Sequence, residues 1–394
     1  LFLGWNDGSS GPLIPKMQQV YHVDFTLVSL TFVLACLGFI SGGLINMHWG
    51  EKVGFGRIMV LSALCQVAAY SIQAPGPPFP LFVLSYALIG VGGSIQNAQA
   101  NAYVVNLKNS ELYMGMLHAS YGAGALTAPL VATQFAQMRH WSFHYLTSLG
   151  LAITNVFVLI LVFRGRTQDG KWLSSPGARA ITATSGRFFP WTLKTVHLLA
   201  FFALVYVGVE VTIGGWIVTF IIDVKGGGPS SGYISSGFFG GMMVGRLALL
   251  WLNKKIGERV VYLYAALAIG LEFIVWFVPS LIGGALAVSL IGVFLGPVYP
   301  LMMTRVGRVV PRWLLSGSIG WVAAFGQAGS AILPFITGAI ASKAGIRTLQ
   351  PLCVVSFGGC SLSGCSNTGF FVGSCHAQGS RTPNGRTMRI GGAR

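Results

Sequence analysis

Residues 43–57 read GLINMHWGEKVGFGR, and residues 245–259 read GRLALLWLNKKIGER. Each segment joins the end of one long apolar run to the start of the next, and each carries glycine beside basic residues. The two segments correspond at a constant offset of 203 positions. The matched residues are Gly42, Lys52, Val53 and Gly54 with Gly245, Lys255, Ile256 and Gly257.

Nearly the same offset, 202 to 205 positions, recurs elsewhere in the chain. The run LIGV at 88–91 returns at 290–293, and Asp7 falls opposite Glu210. In a later span, Gly124 and Pro129 have Gly329 and Pro334 as counterparts. Matches that keep their order at a nearly fixed period indicate a duplicated architecture. The sequence therefore predicts two similar halves arranged as a parallel repeat.

Composition places both halves in a membrane. Of the 394 residues, 53% are hydrophobic and only 9% are charged, whereas a soluble domain carries about 25% charged residues. These figures exclude a soluble multidomain enzyme, a disordered chain and a disulfide scaffold. The net charge of +16 reflects a scarcity of acids, nine against 25 basic residues, rather than a basic stripe. We therefore expect the lipid bilayer, and no nucleic acid, as a partner.

Apolar runs long enough for a spanning helix, about 20 residues, predict eleven or twelve spans. They lie near 1–15, 26–47, 57–73, 80–105, 112–136, 143–163, 195–222, 231–252, 259–279, 281–304 and 313–341, with a stub from 349. The predicted domains are an N-terminal six-helix bundle at 1–163 with a clipped first span, a central loop at 164–194, a C-terminal bundle at 195–356 with a truncated last span, and an atypical low-complexity tail at 357–394.

Basic residues in the gaps between spans predict the orientation. Gaps on the side of the 164–194 loop hold fifteen Lys and Arg residues, and gaps on the other side hold five. Because cytoplasmic loops carry the excess of basic residues, the loop and both termini are expected in the cytoplasm.

Particular segments resemble a known family. The two glycine-rich segments quoted above look like degenerate copies of the signature of the major facilitator superfamily, although His48 to Glu51 stand where its Asp-Arg pair is usual. WNDGSSGPLIP at 5–15 resembles the first span of the fucose permease branch. With YGAGALTAPL at 121–130, YVGVEVTIGGW at 206–216 and FGQAGSAILPF at 325–335, the chain is similar to fungal fucose-permease-like general substrate transporters over roughly residues 4 to 355.

This resemblance implies an all-α, multi-pass membrane protein with the major facilitator fold, two six-helix bundles related by a pseudo-twofold axis. It implies a monomeric secondary transporter in the plasma membrane or an endomembrane, moving a small polar solute, a monosaccharide by preference, with a proton. A uniporter, an efflux carrier and a non-transporting sensor remain alternatives. Motifs for ATP hydrolysis and for common hydrolases are not seen in the sequence, so no enzyme, cofactor or metal is expected.

Acids inside apolar spans are the leading candidates for proton coupling. A charged side chain in mid-membrane costs about 2.5–3.5 kcal/mol on insertion scales. Asp7 and Glu210 lie in the first and seventh spans, and the resemblance implicates an acid at the position of Asp7 in proton coupling. Capping of a broken helix beside Gly8 and Pro12 is the alternative for Asp7. Glu272 also lies within a span and is expected to pair with a neighbouring helix.

Polar and aromatic residues in other spans are candidates for solute binding. Amides suit sugar hydroxyls because they both donate and accept hydrogen bonds, although interhelical hydrogen bonding is an alternative use. The candidate binding residues are Asn6, Gln96, Asn97, Asn101, His118, Tyr121, Trp216, Tyr299 and Gln327. The aromatic residues could instead pack within the bundle or at the membrane interface. The gating segments are expected to use Gly54, Arg57, Gly245, Arg246 and Gly257, with Arg246 reaching towards lipid headgroups.

Overall fold

The structure is a computed structural model that describes residues 1–105, 107–163, 194–256, 260–310 and 315–366. These residues form fourteen α-helices. Their bounds are α1 Phe2–Tyr21, α2 Phe25–Val53, α3 Phe55–Gln73, α4 Phe79–Val105, α5 Ser110–Ala136, α6 His144–Phe163, α7 Lys194–Lys225, α8 Tyr233–Ala248, α9 Leu250–Ile256, α10 Val260–Phe277, α11 Leu281–Leu295, α12 Val298–Val309, α13 Leu315–Ala344 and α14 Leu349–Ser366.

Twelve spans follow from these helices, because α8 continues into α9 after Leu249 and α11 continues into α12 after a break at Gly296 and Pro297. Eight helical segments among the described residues are long and apolar enough to cross a membrane. The prediction of an all-helical, multi-pass fold is confirmed.

The first and last helices are longer than the apolar runs that predicted them. α1 passes residue 15 and ends at Tyr21, where His22 adopts the left-handed conformation with φ 52° and its N–H donates to the Gln18 carbonyl. α14 passes residue 356 and ends at Ser366, and its residues 357–366 contain no proline that would interrupt the helix. The tail predicted from 357 thus begins inside a helix, and residues 367–394 lie outside the described part.

Packing within the two bundles repeats. In the first bundle α1 packs on α5, α2 on α4, and α3 on α4 and α6. In the second bundle α7 packs on α13, α8 on α11, and α10 on α11 and α14. These are the same pairs of spans counted from the start of each half, so the duplication read from the sequence is also a duplication of helix contacts.

Glycine lets equivalent helices meet backbone to backbone in both halves. A Cβ at Gly42 would lie 2.5 Å from the Val91 carbonyl oxygen, and a Cβ at Gly245 would overlap the Val293 carbonyl oxygen. Small residues at such crossings replace the hydrophobic driving force that is weak between helices in lipid. Gly245 therefore belongs to a helix contact rather than to a loop.

The two bundles are joined at one end, which we call the closed end. Its connections include residues 22–24, 226–232 and 345–348. Asp24 caps α2 by accepting from Leu27 N at 2.8 Å, and the same carboxylate accepts from Ser342 Oγ of the other bundle at 3.1 Å. Ser342 Oγ also accepts from Thr26 N at 2.9 Å. The opposite end, where α6 ends at Phe163 and α7 begins at Lys194, is called the loop end.

Candidate functional site

Close packing of α1 on α5 positions Asp7. A Cβ at Gly4 would overlap the Tyr121 carbonyl oxygen, and one at Gly8 would lie 2.5 Å from the Ala125 carbonyl oxygen. Because only glycine permits this approach, the Tyr121 hydroxyl reaches Asp7 and donates to Oδ2 at 2.7 Å. Asp7 remains exposed in the cleft between the bundles. The carboxyl is thus oriented by the Tyr121 hydroxyl, with Asn6 as a second side-chain partner, and remains open to an incoming ligand.

Asn6 is a side-chain partner of Asp7 and also contacts α3. Tyr70 of α3 donates from its hydroxyl to Asn6 Oδ1 at 3.1 Å. Tyr70 is fully buried, and Phe2 packs edge-on against its ring at 5.6 Å. Asn6 therefore ties α1 to the bundle behind it, while Asp7 faces the cleft.

Glu210 occupies the equivalent place in the second bundle. It lies one helical turn after Tyr206 on α7, so the two share a face. The Tyr206 hydroxyl donates to the Leu295 carbonyl at 2.8 Å, and the Glu210 carboxyl is adjacent to the same hydroxyl. Tyr299 completes this wall, with its ring 6.4 Å from that of Tyr206. Asp7 and Glu210 are close enough for their charges to interact across the cleft.

Arg246 is the cation of this site, contrary to the prediction that it reaches towards lipid headgroups. It is half-buried in α8, and its Nε donates to the Gly296 carbonyl at 3.2 Å. Its charge interacts with Glu210 and with His118 of the first bundle. The preceding residue, Gly245, packs against α11 and so turns Arg246 towards the break in that span rather than towards the membrane surface.

His118 lies on α5, on the loop-end side of the place where α5 crosses α8. Met243 of α8 contacts Gly122 of α5. One turn further towards the loop end, His118 and Arg246 face each other across the two helices. His118 is exposed, which places it in the cleft rather than in the bundle interior.

The predicted amides divide between the cleft and the bundle interior. Asn97 is exposed one turn after Gly93, whose Cα faces Leu3 of α1, and Asn101 donates to Asn97 Oδ1 at 3.0 Å. Gln96, by contrast, is buried and lies away from the cleft. Its Nε2 donates to Gln66 Oε1 at 3.0 Å, and its Oε1 accepts from Asn155 Nδ2 at 3.3 Å. Gln96 therefore makes interhelical hydrogen bonds, the alternative to solute binding that the sequence analysis gave for the amides.

Trp216 is also placed outside the open cleft. Its side chain is fully buried between the bundles, with ring centroids 5.8 Å from Phe25 and 6.3 Å from Phe32 of α2. Its indole N–H donates to the Pro334 carbonyl at 3.1 Å. Trp216 therefore packs within the protein, which was the alternative given for the aromatic residues. Its ring helps to close the cleft towards the closed end.

Gln327 lies on α13 where that helix meets α2. Its backbone carbonyl accepts from the Cys36 thiol at 3.3 Å, and its Nε2 donates to Ser330 Oγ at 3.1 Å. It is half-buried, and its side-chain amide bonds within its own helix.

Of the predicted gating residues, Gly54 forms the tight junction between α2 and α3 with φ 87°, a conformation that favours glycine. Arg57 is exposed in the first turn of α3. Gly257 lies outside the described residues. Among the described residues, no group of three or more His, Cys, Asp or Glu side chains could hold a metal ion.

Three functional positions were missed by the sequence analysis: Tyr70, Tyr206 and the role of Arg246. A usable signal existed for Arg246, since the offset of 203 sets it opposite Gly43. Gly245, the neighbour of Arg246, is the glycine of the close helix contact, so the cation that follows it has to occupy the space beside that contact. The position of Arg246 near the end of a span had wrongly indicated that it reaches towards lipid headgroups.

Comparison with known proteins fits this architecture. A sequence profile of the Major Facilitator Superfamily matches residues 1–334. The chain is 25% identical over 386 residues to Bypass of stop codon protein 6 of Saccharomyces cerevisiae, a match that covers 89% of this chain and 77% of that protein. It is 21% identical over 342 residues to the glucose/mannose transporter GlcP of Bacillus subtilis, covering 84% and 83%.

The fold is shared with solved transporters. The crystal structure of the transporter FucP in the outward conformation has a TM-score of 0.61 and 15% identity, with 92% of this chain and 95% of that chain covered. The profile match extends over most of the chain, and the repeated helix pairs supply the corresponding architecture. The chain therefore belongs to the major facilitator superfamily of secondary membrane transporters.

Proposed function

We propose that this protein carries a small uncharged polar solute, a monosaccharide by preference, together with protons. The observation that carries the proposal is the Asp7–Tyr121 pair, exposed between the bundles and facing Glu210. An exposed carboxyl oriented by a hydroxyl can exchange a proton with water. Its position at the bundle interface allows the proton to influence how the bundles close.

The remaining polar lining supports a polyhydroxyl solute. Asn97 and Asn101 present amide groups, and Tyr299 presents an aromatic face beside a hydroxyl. Amides both donate and accept, as sugar hydroxyls require. GlcP is named as a glucose/mannose transporter, and the E. coli protein FucP as a fucose:proton symporter. These names favour a sugar as the solute and a proton as the coupling ion.

In the proposed cycle, the structure represents the state that is open at the loop end. Asp24, Thr26 and Ser342 join the bundles at the closed end. Asp7 and His118 remain exposed on the loop-end side of the buried Trp216 side chain. The excess of basic residues supports a cytoplasmic loop end. Proton release from Asp7 would then occur on the cytoplasmic side, and separation of the closed end would admit the next solute. A monomer in the plasma membrane is the expected form.

The test is uptake of labelled sugars in transporter-deficient cells as the external pH is varied. We expect acid to stimulate uptake of at least one neutral sugar, because inward proton movement drives it. Asp7→Asn should abolish the acid stimulation. Asp223→Asn, which alters an exposed carboxylate near the closed end of α7, is the matched control and should behave like the wild type.

Acid-independent uptake that survives Asp7→Asn would contradict proton coupling and leave a uniporter. Failure to transport any sugar, by protein shown to reach the membrane, would contradict the proposed solute class.

A further inference from the structure

The side chain of Arg246 is held at a defined place by the packing of α8 on α11. A Cβ at Gly241 would overlap the Ser289 carbonyl oxygen, and one at Gly292 would overlap the Phe238 carbonyl oxygen. The two helices therefore touch along their backbones up to the break after Leu295. There the freed Gly296 carbonyl accepts from Arg246 Nε at 3.2 Å. The guanidinium is thereby fixed beside the cleft.

Glu210 lies beside the same break between α11 and α12. Tyr206 donates to the Leu295 carbonyl at 2.8 Å, one residue before the carbonyl that anchors Arg246. Glu210 lies one turn along α7 on the same face as Tyr206, so its carboxyl and the Arg246 guanidinium border the same helix break. The break thus places one acid and one base close enough for their charges to interact.

The groups that face Glu210 come from several helices. They are Tyr206 on α7, Arg246 on α8, Tyr299 on α12, and Asp7 on α1 with its partner Tyr121 on α5. His118 on α5 faces Arg246 rather than either carboxyl. Tyrosine hydroxyls are uncharged near neutral pH. The charge of the site is therefore decided by two carboxyls and one guanidinium.

The duplicated sequence shows that this balance is asymmetric. Asp7 and Glu210 are equivalent positions, but Arg246 corresponds to Gly43 in the first half. Only one of the two equivalent carboxyls is thus accompanied by a cation at the aligned position. With both carboxyls ionised, the site has one uncompensated negative charge, which a single proton removes.

We propose that Arg246 is the fixed counter-ion of Glu210 and thereby sets the charge class of the solute, since one proton at Asp7 then makes the site neutral for an uncharged solute. This inference rests on the proposed function. Two interacting carboxyls titrate as a pair, and Arg246 limits that pair to one exchanged proton. Arg246 is a specificity-determining residue in this account, and it also positions the break between α11 and α12.

The transport test uses purified protein in liposomes with three labelled solutes: a neutral hexose, a hexuronate and a hexosamine. The wild type should prefer the hexose. Glu210→Gln leaves Arg246 without its counter-ion, so we expect hexuronate uptake at acid pH to rise about tenfold relative to hexose. Arg246→Gln leaves two carboxyls without a cation, so preference should move by a similar factor towards hexosamine at neutral pH, above the range in which Glu210 takes up a proton.

Charge-balanced variants separate this effect from misfolding. The double variant Glu210→Gln with Arg246→Gln should restore hexose preference, and Arg246→Lys should retain it. Lys343→Gln, an exposed position near the closed end, is the control for loss of a positive charge and should match the wild type. Unchanged selectivity in both single variants, with hexose transport intact, would overturn the proposal and leave the proposed function standing.

A second measurement is independent of solute. Infrared spectra of the purified protein, recorded as pH is lowered, report protonated carboxyl groups. Bands that disappear in Asp7→Asn or Glu210→Gln identify each group. We expect the wild type to show the Asp7 band and Arg246→Gln to add the Glu210 band, because loss of a nearby cation favours the neutral carboxyl. The same bands in both proteins would overturn the proposal even if no sugar is transported.

Discussion

Two adjacent amides illustrate how one position on a helix decides the role of a residue. Gln96 and Asn97 are consecutive on α4, and consecutive residues point about 100° apart around a helix. Gln96 therefore joins Gln66 and Asn155 inside the first bundle, whereas Asn97 is exposed in the cleft. The same amide group stabilises the bundle at Gln96, and at Asn97 we propose that it contacts the solute.

This difference predicts opposite outcomes for two substitutions. Gln96→Leu should lower the free energy of unfolding by about 1–2 kcal/mol, the upper range for interhelical hydrogen bonds in membranes, because Gln66 and Asn155 lose a partner. Asn97→Ala should leave the unfolding temperature in detergent unchanged and raise the KM for the transported sugar. A stable Gln96→Leu protein with a raised KM would instead place Gln96 in the cleft.

The sequence alone was sufficient to pair Asp7 with Glu210, because the repeat offset carries positional information that composition lacks. It could not show which way Gln96 or Trp216 points, since in a membrane helix the faces towards lipid and towards other helices are both largely apolar and leave no clear amphipathic pattern. Trp216 looked like a cleft residue from its chemistry. Only the packing of Phe25 and Phe32 across the bundle interface shows that the ring is enclosed.

At the scale of one element, α1 acts through its glycines. Gly4 and Gly8 allow the helix to lie against α5. Gly124 of α5 makes the same close approach possible from the other side, since a Cβ there would overlap the Leu1 carbonyl oxygen. The hydrogen bond between Asp7 and Tyr121 depends on this approach. The chemistry of the site is therefore sensitive to residues that carry no polar group.

We expect Gly8→Val to abolish acid-stimulated uptake while the protein still reaches the membrane. Even a Cβ at Gly8 would lie 2.5 Å from the Ala125 carbonyl oxygen, so α1 must move away from α5 and take Asp7 from Tyr121. Gly150→Ala on α6 is the control, because a Cβ there meets nothing within 4 Å. Uptake and its pH profile, measured in cells with equal surface expression, check this prediction; an unchanged profile for Gly8→Val would contradict it.

At the scale of the whole molecule, the two halves meet at equivalent residues. Gly11 of α1 corresponds to Gly214 of α7 at the repeat offset, and a Cβ at Gly11 would overlap the Gly214 carbonyl oxygen. Contact between equivalent positions is what a pseudo-twofold axis produces. Asp7 and Glu210 each lie one turn from this contact, so relative movement of the bundles about it changes the surroundings of both carboxyls together.

Rocking about this axis requires the closed end to separate in every cycle. Thr26 Oγ1 and Ser342 Oγ lie 2.8 Å apart across the bundle interface, so cysteines at these positions come within reach of a disulfide. In a background without other cysteines, oxidation of Thr26→Cys with Ser342→Cys should join the bundles and stop sugar uptake, and a reductant should restore it. Each single cysteine variant should be indifferent to the oxidant. Transport that continues in fully cross-linked protein would show that this end does not open, and the solute would then have to take a path other than one between the two bundles.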